Sequence, residues 1–410
     1  MLFLAATLGF VAALAVAALL LRLGFPLPDA KGRSQSVDGL RGLLACAVAI
    51  HHMVIWFGLA TGRGWTAPES PLLNQFGAGS VALFLMVTGW LIWPKLVRGM
   101  SGKDWVLLYV GRALRILPMV ALALGAVIVL AWVKSGVALK ADQPPGLLLW
   151  LFGLDLPPIG GVRDAARINA SVFWYLGQEW FFCVVIVPLL ALVLWAGKRL
   201  ATPALLLAPL LLCAWAVSIA FPLSGEGYFV WASPYAFRLF LPVLLSGMMI
   251  AALLKMERLN GLIGHPVFGW ASLALFLGTI SLARFPYGWA LPGLIPFLLC
   301  VASGKHYGAV LSARPVVLLG NLSFSIYVMH PELLYALFGF DGTVRGMLAG
   351  LPAVVTVPVV MVAVALLAAL IHHLIERPSL VFAGRVRSAI EGVGVRPRVG
   401  HSADSSAGSP

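Results

Sequence analysis

The first 25 residues, MLFLAATLGFVAALAVAALLLRLGF, carry one charged side chain, Arg22. An apolar run of about 20 residues is the length an α-helix needs to cross the hydrocarbon core of a bilayer. The pattern recurs. Eleven such runs fall at about 2–24, 38–60, 75–93, 113–133, 171–196, 202–222, 235–254, 261–282, 288–304, 315–338 and 350–375. Composition agrees: 61% of the chain is hydrophobic and 10% charged, where a soluble domain runs about half apolar and a quarter charged. The expected fold is an all-α, polytopic transmembrane helical bundle of about 11 spans. The first run has no basic leader and no small-residue cleavage motif, and is read as a retained span. The run LLLWLFGL from Leu147 is too short to cross and is expected in the interface. The segment from Ala383 is rich in Gly, Ser and Pro and is expected to be a disordered cytosolic tail, 383–410.

The formal charge of +13 would suit nucleic acid, but its distribution points elsewhere. With the N-terminus outside and the C-terminus cytosolic, 20 of the 28 Lys and Arg face the cytosol. That is the positive-inside bias of a membrane protein, so no nucleic-acid partner is expected. A bacterial inner (plasma) membrane is the natural setting. Cys46, Cys183, Cys213 and Cys300 each sit in an apolar run without CxxC spacing. They read as small apolar side chains, and no metal site is expected.

Ionisable residues inside spans are costly and mark candidate sites. The stretch SVDGLRGLLACAVAIHHMVIWF places Arg41 eleven residues before His52. Eleven helical steps sum to about 1100°, about 20° past three turns, so the two share a face about 16 Å apart along the axis. His51 points about 100° away and is expected to bond a neighbouring helix. YVGRALRILP sets Arg112 and Arg115 three apart on one face; paired guanidinium forks suit phosphate groups. FWYLGQEWFF carries Glu179 and GNLSFSIYVMHPELL carries His330. Counting from span ends puts His52, Glu179 and His330 in the outer half of the membrane.

The order of these stretches resembles the membrane acyltransferase-3 family, the family of O-antigen and other polysaccharide O-acetylases. VDGLRG with ten residues between Arg41 and His52 resembles its Arg-x10-His signature. LFLMVTGWLI, GRALRILP, FWYLGQEWFF and LSFSIYVMHP resemble four further family stretches, and IERP at 375–378 also fits. Thr88, Tyr175 and Cys183 depart from the residues usual there. The resemblance runs from Asp38 to about Pro378. It implies a ten-helix acyltransferase-3 membrane domain, 35–382, preceded by an extra N-terminal span and loop, 1–34.

The activity so implied is O-acyl transfer, usually of acetyl, from cytosolic acyl-CoA (acetyl-CoA as co-substrate) to a hydroxyl of a cell-surface polysaccharide or lipid-linked oligosaccharide. In that reading Arg41, Arg112 and Arg115 hold the phosphates of the donor. His52 is the general base, since imidazole titrates near neutral pH. Glu179 orients or stabilises that imidazole, and His330 donates to the oxyanion or fixes the acceptor. Direct transfer is expected; an acyl-enzyme on Thr88 is the alternative. The long outer segment around 135–170, with Asp155, Arg163, Asp164 and Arg167, is a candidate for acceptor contact. A transporter of acyl groups or solutes acting with a separate transferase is the reading from another class, and a small glycoside is another acceptor.

Overall fold

The computed structural model describes residues 1–27, 32–139, 143–197, 202–220 and 236–392. Twelve helices carry the architecture. In chain order they are α1 (Leu2–Arg22), α2 (Gln35–Ala60), α3 (Pro71–Arg98), α4 (Gly102–Ser135), α5 (Pro144–Phe152), α6 (Trp174–Gly197), α7 (Pro203–Ala220), α8 (Phe237–Leu253), α9 (Pro266–Leu282), α10 (Leu291–Ser303), α11 (Arg314–Phe338) and α12 (Ala353–Glu391). No strand is present among the described residues. The protein is an all-α polytopic membrane bundle.

Eight of these helices are long and apolar enough to cross a bilayer, or nine if α8 is counted together with Glu257–Gly264, from which it is bent by 92°. The three other runs expected as spans are helical but shorter: α8 and α9 have 17 residues each and α10 has 13. At 1.5 Å per residue, 17 residues rise about 26 Å, under a hydrocarbon core of about 30 Å. LLLWLFGL forms the nine-residue α5. The tail expected from Ala383 is corrected in part. Helix α12 passes through a π-turn at His372–Glu376 and continues as Arg377–Glu391, a last stretch with no buried residue. Residues 393–410 lie outside the described residues.

Local chemistry fixes several helix starts. Ser70 caps α3 ahead of Pro71, whose fixed φ suits the first helical position. Ser101 and Asp104 form a capping box at the start of α4. Two close approaches then set the core. Among the described residues, helices α2 and α11 share the most extensive contact. A Cβ on Gly42 would overlap the backbone of Leu319 and Gly320, and one on Gly320 would overlap that of Asp38. Likewise Gly89 of α3 and Gly247 of α8 leave room for no side chain against each other's helix. Small residues at such crossings let backbones meet, which is how membrane helices gain packing energy without a hydrophobic driving force.

Candidate active site

The tight α2–α11 contact positions the imidazoles. Gly42 meets Gly320. Ten residues further along each helix, His52 Nδ1 lies 2.8 Å from His330 Nε2, with the rings nearly parallel at 17°. Equal offsets from the contact mean that the two helices run parallel and in register.

The hydrogen-bond pattern fixes which nitrogen is free. His330 Nδ1 lies 2.9 Å from the Ile326 carbonyl, which only accepts, so Nδ1 carries the proton. With both rings neutral, His330 Nε2 accepts from His52 Nδ1–H. Among the described residues the lone pair of His52 Nε2 is then left without a hydrogen-bond partner. Both nitrogens of His330 are committed, so the expected donation by His330 to an oxyanion is replaced by a grip on His52. His51 donates from Nδ1 to the Leu73 carbonyl of α3 at 2.9 Å, the neighbouring-helix bond anticipated for it. It also lines the cavity that His52 faces, and a Cβ on Gly77 would come within 2.7 Å of its ring.

That cavity lies toward the end of the bundle where α3 begins, the end termed outer, and it holds about 210 Å³. Trp174, Phe285, Tyr287 and Tyr327 give it aromatic walls, and Asn74 joins the two imidazoles as a polar group. A second, larger cavity of about 460 Å³ lies toward the end of the bundle where α2 and α4 begin and α3 ends. Arg41, Lys95, Arg112, Arg115 and Arg387 line it, with Glu179 as its carboxylate. Helix α3 lines both: Asn74, Gly77, Ala78 and Val81 face the outer cavity, and Val81, Phe84, Thr88, Leu91 and Lys95 the basic one. From Asn74 to Lys95 the helix rises about 31 Å, roughly one hydrocarbon thickness. Arg41 and Arg115 also line a third cavity of about 300 Å³, with Arg33, Asp38, Asn321 and Glu376.

All three expected arginines therefore meet at one cavity, Arg41 from α2 and Arg112 and Arg115 from α4. Arg41 lies 3.8 Å from Asp38, whose other oxygen takes Arg33 at 2.9 Å. The Arg115 guanidinium stands 5.8 Å from the Phe324 ring centroid. Arg112 pairs with Glu179 at 3.5 Å, and Tyr175 donates its hydroxyl to the same carboxylate at 3.2 Å.

The expected place of Glu179 beside His52 is corrected by that geometry. Its carboxylate belongs to the basic cavity, while the partner of His52 is His330. The reason lies upstream. The segment before α6 does not run over the surface: Ile168, Asn169, Val172 and Phe173 are buried. Asn169 donates to Glu332 at 2.6 Å, and Tyr327 donates to the Val172 carbonyl at 2.9 Å. Ala170 and Ser171 take positive φ, 44° and 60°, to make this inward turn. So α6 starts deep in the bundle, with Trp174 at the outer cavity, and Glu179 falls more than a turn further in. Asp164 and Arg167 of the same segment are exposed and pair with each other at 2.6 Å.

Thr88 bonds back to the Phe84 carbonyl of its own helix and lines the basic cavity. Among the described residues, no group of three or more His, Cys, Asp or Glu is placed to hold a metal ion.

Several groups at the site escaped the sequence reading. Lys95 and Arg387 join the basic cavity. At the π-turn of α12, Glu376 accepts from Ser325 at 2.6 Å and from His372 at 2.9 Å, and His372 faces Asn321 at 3.0 Å. Among the described residues, Glu332, two residues beyond His330, keeps one buried oxygen without a hydrogen-bond partner. A carboxylate inside a span was a legible signal for Glu332. For Lys95 the signal was its place on the helical stripe that begins at Asn74.

The acyltransferase-3 family model, described as an acyltransferase domain, matches residues 34–373. No curated protein and no solved structure matches the chain.

Proposed function

The chain belongs to the acyltransferase-3 family, and from that premise we propose that this membrane acyltransferase moves an acyl group, acetyl by preference, from cytosolic acyl-CoA to a hydroxyl of a glycan at the opposite face. The observation that carries the reading is the pair of cavities along one helix face. One is a five-cation cavity at the basic end; the other is a small aromatic cavity holding a histidine with an open nitrogen.

Each cavity suits one substrate. Acyl-CoA is anionic at its phosphates, and guanidinium groups bind phosphate bidentately. Arg41, Arg112 and Arg115 hold those phosphates, and Lys95 and Arg387 add to the local field. Under the positive-inside rule this end faces the cytosol, where the donor is made. The pantetheine arm then lies along α3 and brings the thioester toward His52. A cell-surface polysaccharide or lipid-linked oligosaccharide presents its hydroxyl from the other side. Apolar sugar faces pack well on aromatic walls such as Trp174 and Phe285. A bacterial inner membrane, with the C-terminus cytosolic, accommodates both substrates.

The chemistry balances with the residues in place. His52 Nε2 takes the proton of the acceptor hydroxyl as its oxygen attacks the thioester carbon. The C–O bond forms, the C–S bond breaks, and the imidazolium returns the proton to the leaving thiolate. His330 holds the imidazole by accepting its Nδ1–H and so keeps the lone pair on Nε2. General-base catalysis of this kind contributes about 10²–10⁴-fold. Glu179 acts on Arg112, not on His52. Direct transfer is the reading adopted; an acyl-enzyme on Thr88, which lines the basic cavity beside Tyr175, is the alternative.

The test compares cells with and without the protein. Surface glycans should lose the mass of one acetyl group per modified site when the protein is absent, and His52→Ala should behave as the deletion while inserting normally. Glycans identical in mass in all three strains would overturn the proposal.

A further inference from the structure

Resting on the reading above, we propose that Val81 and Tyr327 form an aperture that selects the acyl group by length, admitting acetyl and discriminating against longer chains. Among the described residues, the two cavities share two lining side chains, and these are the two. In this proposal a thioester held at the basic cavity reaches the imidazoles by passing between them.

Both side chains are built to hold still. Val81 is 5% exposed and Tyr327 6%. Val81 is β-branched on a helix, which leaves it essentially one χ1 rotamer. The Tyr327 hydroxyl is tied to the Val172 carbonyl at 2.9 Å. Its ring meets Tyr175 edge-on at 5.8 Å and Phe84 at 6.5 Å. On the far side the His330 ring lies 6.3 Å away. The acyl carbonyl must therefore stand at this waist for His52 to serve the attack. The alkyl part of the acyl group then has two places to go. It can lie against Val81, or it can project into a cavity of about 210 Å³ that the acceptor must also enter. Each added methylene competes with the acceptor or strains the waist. A hydrophobic pocket discriminates about 10–200-fold per methylene.

The experiment uses the full-length protein in inverted membrane vesicles. Thiol release from acetyl-CoA, propionyl-CoA and butyryl-CoA is measured above the His52→Ala background, and binding of free CoA is measured in parallel. Wild type should favour acetyl over butyryl by at least about 10-fold. Val81→Ala should narrow that ratio about 10-fold by opening the waist. Val81→Phe should reduce acetyl release by at least about 10-fold while free CoA binds within about two-fold of wild type, since free CoA ends at its sulfur, one bond short of the acyl carbonyl, and its affinity comes from the phosphates in the basic cavity. Should Val81→Phe fail to fold, Val81→Ala alone decides. A ratio unchanged by Val81→Ala, in a protein whose His52-dependent release is intact, overturns the aperture and leaves the acyltransfer reading standing. A wild type that binds no CoA and releases no thiol overturns both.

Discussion

The two cavities are built on opposite principles from the same helices. The outer one is small and aromatic, with two imidazoles and no carboxylate on its walls. Its key contact is a single hydrogen bond between residues 278 positions apart. The inner one has about twice the volume, with five cations and one carboxylate on its walls. Its cations come from four separate stretches of the chain, around 41, 95, 112–115 and 387. One site concentrates its function in one geometry; the other spreads it over a field. Perturbing the outer site should therefore hit turnover hard at single positions. Perturbing the inner one should move donor affinity by graded steps.

The largest effect distinguishing them is expected at His330. His330→Ala removes the acceptor for His52 Nδ1–H, so the imidazole loses both its orientation and its tautomer. Turnover should fall about 100-fold, within the range general-base catalysis supplies, with CoA affinity unchanged. His330→Gln can still offer an oxygen acceptor and should recover part of the loss. Equal activity of the Ala and Gln variants would mean that the imidazole–imidazole bond is packing and not positioning. Arg115→Ala comes next. A charge-assisted hydrogen bond is worth about 1.5–3 kcal/mol, so the CoA dissociation constant should rise at least about 10-fold, with turnover at saturation little changed. Because the field is shared, the loss should shrink at high salt. A fall in turnover without a change in affinity would place Arg115 on the catalytic side of the comparison.

How much of this contrast the sequence carries depends on the range of the interaction. Arg41 and His52 sit on one helix, and helical geometry alone puts them on one face. Arg112 and Arg115 are likewise local. The meeting of His52 with His330 depends on α2 and α11 packing in parallel through Gly42 and Gly320, and that register has no local signature. The partner of Glu179 is Arg112 because of the turn that precedes α6, which has no local signature either. The Asn169–Glu332 and Tyr327–Val172 bonds pull the preceding turn inward and shift the whole helix. The apolar runs forecast the bundle well, since the bilayer imposes their length. Eight of the eleven runs form helices of 18 residues or more, and the other three form the shorter helices α8, α9 and α10. The charge of the last stretch of α12 could be read from the sequence, but its docking against α4, which brings Arg387 to the basic cavity, could not.

Glu179 gives the smallest expected effect and the sharpest sign test. Its carboxylate lies 3.5 Å from Arg112 and holds that cation partly neutralised inside the basic cavity. If the inner site works as a field, Glu179→Gln should free Arg112 for phosphate and tighten CoA binding. A weakly paired ion interaction is worth about 0.2–1 kcal/mol, so the gain should be no more than about five-fold. The amide can still accept from the Tyr175 hydroxyl, which keeps the local packing. Turnover should not rise with affinity, because tighter ground-state binding of the donor does not by itself lower the barrier. If Glu179 instead served His52, the same substitution would leave CoA affinity alone and depress turnover as His330→Ala does. Isothermal titration with CoA, set beside thiol release at saturating acetyl-CoA, separates the two outcomes on one preparation.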